Sequence, residues 1–137
     1  MTHRSLPHTA DIRIAFETAT FTELLQEGLL VMRQLLAGDA AVVPRESRPV
    51  SLATGDPAEA FLGFLRDLLY LAATNGFVPA AFTAAGADEF PVSGTLSGEP
   101  FDPARHAPQP EVKAVTRHGL VVERRDGGWY AEVVFDV

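Results

Sequence analysis

The 137-residue chain contains no cysteine. That excludes disulfides, thiolate zinc sites and cysteine nucleophiles together, and with them redox chemistry by the side chains. Lysine occurs once, at Lys113, so arginine supplies nearly all the positive charge. Acidic residues outnumber basic ones 18 to 11, and a net charge of −7 repels a phosphate backbone unless the basic groups are segregated. No direct nucleic-acid binding is expected. Long apolar runs are missing too, since Glu27 and Arg33 interrupt the best candidate short of the roughly 18 residues a spanning helix requires. The start, "MTHRSLPH", has no apolar signal-like region. These features predict a cytoplasmic protein with no membrane association. A glycine-rich phosphate loop and a serine-hydrolase elbow are both lacking. The histidine pairs, His3 with His8 and His106 with His118, lack the spacing of a zinc helix.

What is present fits an ordinary globular domain: 47% hydrophobic and 21% charged residues, in a length that fills one core without staples. The chain reads as a single domain over residues 1–137. Residues 9 to 16 alternate, with Ala10, Ile12, Ile14 and Phe16 on one face and Asp11, Arg13 and Ala15 on the other, as in a half-buried strand. Thr20 and Glu23 then form a capping-box pattern ahead of an amphipathic stripe from Phe21 to Leu36, which stops at Gly38. After a strand over 46–53, Asp56 and Pro57 open a second helix, whose stripe of Phe61, Phe64, Leu65, Leu68, Leu69 and Ala72 ends at Asn75-Gly76. Beyond residue 77 the pattern turns to strands, predicted at 77–84, 90–97, 111–116, 120–124 and 129–136, with a proline-rich loop over 98–110. This order predicts an α+β fold: two amphipathic helices packed on a mostly antiparallel, or mixed, β-sheet.

Two aspartates stand out within that scheme. Asp11 and Asp136 both occupy the polar phase of their strands, and if the first and last strands are neighbours their carboxylates approach within a few ångströms. Two such carboxylates repel unless a cation or a shared proton lies between them. An all-oxygen ligand set favours a hard divalent ion, Mg²⁺, Ca²⁺ or Mn²⁺, and a terminal carboxylate at Val137 would add a further oxygen. The bland alternative is two solvated aspartates. Lys113, in "EVKAVT", is read as sharing a strand face with Glu111 and Val115, pairing with a nearby carboxylate, presenting a cation to an anionic partner, or guarding an edge. Glu99, at the head of the proline-rich loop, is either another metal oxygen or solvent-facing, and the solvent-facing reading is preferred.

The segments "HTADIRI", "FLRDLLYL", "GEPFDPARH", "VKAVTRHGL" and the closing "AEVVFDV" together resemble the archease family over nearly the whole chain. That resemblance implies a compact α+β domain with an acidic metal site. It further implies a protein cofactor, not an enzyme, for the RtcB-type RNA ligase of tRNA splicing and RNA repair, promoting the ligase's guanylylation and repeated turnover. By matching position it implies Asp11 and Asp136 as metal ligands, Lys113 as a functional residue, and His8 as support for the site. Two other readings remain open: an independent metal-dependent hydrolase of a phosphorylated small molecule, for which no general base or nucleophile is evident, and a chaperone-like modulator of RNA-modifying enzymes.

Overall fold

The structure is a computed structural model and describes residues 11–52, 55–86, 92–106 and 112–137. Its elements run β1 (Asp11–Thr18), α1 (Phe21–Ala37), β2 (Glu46–Leu52), α2 (Pro57–Asn75), β3 (Phe77–Ala84), β4 (Val92–Pro100), β5 (Ala114–Arg125) and β6 (Gly128–Asp136). The class is α+β, as the sequence pattern predicts. The strands divide into two three-stranded sheets, ordered β1-β6-β5 and β2-β4-β3, and every pairing among the described residues is antiparallel.

Both helices begin and end where their caps dictate. The Thr20 hydroxyl accepts from the Glu23 backbone N–H at 3.1 Å, and the Gly38 N–H closes α1 on the Gln34 carbonyl at 2.9 Å. Asp56 caps α2 through the Ala58 N–H at 3.0 Å, Pro57 fills the first turn, and Gly76 ends it in the left-handed conformation at φ 64°. The helices contact each other and both sheets. Gly28 sets their approach, because a Cβ there would meet the Phe61 ring at 2.8 Å.

Between these layers lies one main core in which Phe21, Leu24, Leu25, Phe61, Phe64, Leu65, Phe77 and Phe135 are almost wholly buried. Edge-to-face pairs tie the layers together: Phe16 with Phe61 at 5.4 Å, Phe21 with Trp129 at 5.1 Å, and Phe64 with Phe82 at 5.3 Å. A smaller cluster of Ala37, Val42 and Val78 sits apart from it.

Three local expectations change. The segments predicted as separate strands at 111–116 and 120–124 form one strand, β5, whose register shifts between Thr116 and Val121. Gly119, at φ 74°, lies within that irregularity. Strand β4, described from Val92 onward, runs on to Pro100, so Glu99 lies inside it instead of in the predicted loop; residues 90 and 91 of the predicted strand lie outside the described residues.

Candidate metal centre

Because β1 and β6 are neighbours and antiparallel, the two ends of the described chain meet. The register sets Asp11 directly opposite Asp136, and Ala114 of β5 completes the same row. Cβ atoms of directly opposed residues lie about 4.5–5.5 Å apart on the same face of a sheet, within reach of one shared ion. Asp11 is exposed and Asp136 is half-buried. The Asp136 Oδ1 atom is buried with no hydrogen-bond partner. Among the described residues, neither carboxylate has an ion pair or a hydrogen bond to its side chain.

Elsewhere on this face Glu123 and Glu132 have partners. Arg13 reaches Glu132 at 3.2 Å, and the Tyr130 hydroxyl donates to the same carboxylate at 2.6 Å. The Tyr130 bond is the main cause of Glu132's lowered pKa. Arg125 lies over the Tyr130 ring at 3.8 Å while its Nε donates to Glu123 at 2.6 Å. The aspartate pair therefore stands apart from its own sheet face. Like charges placed opposite each other are destabilising, and a desolvated carboxylate oxygen without a partner adds to that cost. A cation removes both penalties.

The donor set fits a hard divalent ion. Two carboxylates are available, and no group of three or more His, Cys, Asp or Glu gathers among the described residues. Val137, half-buried, follows Asp136 directly. Mg²⁺, Ca²⁺ and Mn²⁺ accept such ligands and fill their remaining positions with water or phosphate oxygens.

Lys113 lies beside this row, in a different setting from the predicted one. It precedes β5 instead of lying mid-strand, and its side chain is exposed while Val115 is buried, so the two do not share an environment. Its backbone N–H donates to the Asp136 carbonyl at 2.8 Å, extending the ladder one residue and anchoring the lysine next to the aspartates. Among the described residues its ammonium has no carboxylate partner. His8 lies outside the described residues, as does Glu111.

Glu99 is the main correction to the sequence reading. Its side chain is only 2% exposed and accepts from several donors. Arg105 binds both carboxylate oxygens, the Val43 N–H donates at 2.6 Å, and Arg45 approaches to 3.5 Å. His106 completes the group: its Nδ1 accepts from the Asp102 N–H at 2.8 Å, so Nε2 carries the ring proton and donates to Glu99 at 3.3 Å. The Arg105 hydrogen bonds, outweighing desolvation, hold the Glu99 carboxyl down at about 2. Both carboxylate oxygens have protein donors, so this buried group pins the 42–45 and 101–106 segments to β4. His118 is exposed, and its N–H donates to the Thr116 hydroxyl at 3.0 Å.

Comparison with known proteins carries the same pattern further. The model of the Archease protein family (MTH1598/TM1083) matches residues 3–137. The chain belongs to the archease family. Archease from Methanopyrus kandleri is 33% identical over 140 residues, covering 100% of both chains. The Methanosarcina mazei archease is 31% identical over 136 residues, covering 96% of this chain and 93% of that protein. Two solved structures share the archease fold at 22% identity. One is the crystal structure from Thermotoga maritima, described as an archease and possible chaperone, with a TM-score of 0.69 and coverage of 100% and 98%. The other is the solution structure of Methanobacterium thermoautotrophicum protein 1598, with a TM-score of 0.71 and coverage of 98% and 96%. Among the described residues no helix is long and apolar enough to cross a membrane.

Proposed function

We propose that the protein is an accessory factor, not an enzyme, that activates an RtcB-type RNA ligase of tRNA splicing and RNA repair. Family membership supports the partner. The observation that supports the site is the in-register opposition of Asp11 and Asp136 with the Asp136 Oδ1 buried and unpartnered. In this reading the two aspartates and an oxygen of Val137 hold one divalent ion, Ca²⁺, Mg²⁺ or Mn²⁺. Bound there, the ion supplies positive charge for nucleotide phosphate oxygens during ligase guanylylation. Lys113 adds a mobile cation for phosphate or for an acidic group of the ligase, and His8 supports the site from the preceding segment.

The protein docks transiently in the cytoplasm and promotes both guanylylation and repeated turnover. A net charge of −7 suits a basic, RNA-binding target and argues against the factor gripping RNA itself. The test is to measure guanylylation and multiple-turnover ligation by the ligase with wild-type protein, Asp11→Ala and Asp136→Ala. Both variants are expected to fold and to lose stimulation. Full stimulation by both removes the metal site from the mechanism. A chaperone role, the possibility named for the Thermotoga relative, predicts instead that suppression of aggregation survives both substitutions.

A further inference from the structure

Two three-stranded sheets leave four edge strands, and three of them carry features that keep another chain from adding a strand. Strand β2 has Pro49 within it. Strand β3 has Pro79 beside a register shift, and α1 covers two of its carbonyls: the Gln26 amide donates to Phe82 at 3.1 Å and Arg33 to Ala80 at 3.3 Å. Strand β5 is irregular between Thr116 and Val121, and its Val115 carbonyl accepts from Arg66 at 3.0 Å. Strand β1 has none of these. Its eight residues pair with β6 in unbroken register, it holds no proline or lysine, and among the described residues no side chain bonds to its main chain. Its own charges, Asp11, Arg13 and Glu17, all lie in the phase opposite to Ile12 and Ile14.

That edge borders an apolar groove of about 290 Å³, lined by Ile12 and Ile14 of β1 and by Leu30, Val31, Gln34 and Leu35 of α1. Leu30 is 41% exposed, and Ile12 and Ile14 are only half-buried although Phe16, next in their phase, is in the core. The surroundings are acidic. Glu17 on the outer face of β1 and Glu27, one helical turn before Leu30 and Val31, are exposed and have no ion pair among the described residues. Gln34 holds Asp39 at 2.6 Å beyond the end of the helix, and no basic residue lines the groove among the described residues.

We propose that the open edge of β1 is where the ligase docks, through an extended segment of alternating apolar and basic residues that adds a fourth strand to the sheet; this rests on the function proposed above. Main-chain hydrogen bonds to β1 hold the segment, its apolar phase fills the groove over Leu30 and Leu35, and its basic phase lies against the acidic flanks. Charge selects this occupant over a second copy of the chain. Paired antiparallel about Ile14, two β1 strands would set Asp11 of each copy opposite Glu17 of the other, on molecules that each carry a net charge of −7. Because β1 begins at Asp11, the added strand runs up to the candidate metal centre.

The experiment measures the Kd of the full chain for the purified ligase, and guanylylation at saturating factor, with wild type, Leu30→Asp, and Glu17→Lys combined with Glu27→Lys. All three positions are exposed, so the variants are expected to fold. Each variant is expected to bind about tenfold more weakly, with the charge-reversal loss shrinking as salt rises, and to stimulate normally once saturating. Hydrogen exchange on the wild-type complex is an independent reading: the β1 amides that face away from β6 are expected to gain protection, and those of β2 are not. If the wild type does not bind the ligase, the proposed function falls and this docking site with it. If the wild type binds but the variants bind equally well, or β1 gains no protection, the docking site alone is overturned. A wild-type dimer that Leu30→Asp dissociates overturns it too and assigns the edge to a second copy.

Discussion

Asp136 is fixed by its main chain on both sides, through Asp11 in β1 and through Ala114 and the Lys113 N–H in and beside β5. Its carboxylate is thereby held opposite Asp11 whether or not a cation is present. Asp136→Asn removes the opposed charge, so without metal it is expected to stabilise the fold by about 0.2–1 kcal/mol, read by denaturant midpoint. With Mn²⁺ or Ca²⁺ added, the wild type is expected to overtake it. Glu99 makes the opposite case, a carboxylate already saturated with donors. Its folded-state pKa, at about 2, lies below the ordinary value of 4.5, so its contribution is complete above about pH 4.5 and is lost as pH falls through 2. Glu99→Gln is expected to flatten that acid limb and to cost about 1–3 kcal/mol at neutral pH, measured by unfolding across a pH series.

At the scale of elements, caps and close approaches decide. Thr20→Ala deletes the side-chain acceptor for the Glu23 N–H and is expected to cost about 1 kcal/mol without changing function. Gly28→Val is expected to cost more, about 1–3 kcal/mol, because the added atoms meet the Phe61 ring and force α1 and α2 apart. Both helices were legible from the sequence because a cap, a 3.6-residue stripe and a glycine stop are local signals. The strands at 46–53 and 77–84 were legible from alternation and turn residues. The predicted β4 ended too early and β5 was split because Pro100, Gly98 and Gly119 carry turn signals that pairing with neighbouring strands overrides. Glu99 was misplaced for the same reason: once β4 extends to Pro100, its side chain points under the 101–106 turn, toward arginine and histidine contributed by that turn.

For the whole molecule, the closing of the fold on its two ends makes the candidate site a reporter of overall stability. An ion bound only by the native state stabilises it by mass action, about 2.7 kcal/mol at a hundredfold excess over Kd, so saturating Mn²⁺ is expected to raise Tm by about 10 °C in wild type and not in Asp11→Ala. A scan with and without chelator checks it. The sequence by itself determined the helices, their caps, the polar phase of Asp11 and Asp136, and the resemblance to the archease family, because each of these is written in short-range pattern. Tertiary structure alone decided that the strands split into two sheets, that β1 and β6 are partners in the register that opposes the two aspartates, and that Glu99 is buried among cations. Those outcomes depend on which distant strand pairs with which, and a period of two along one strand carries no information about its neighbour.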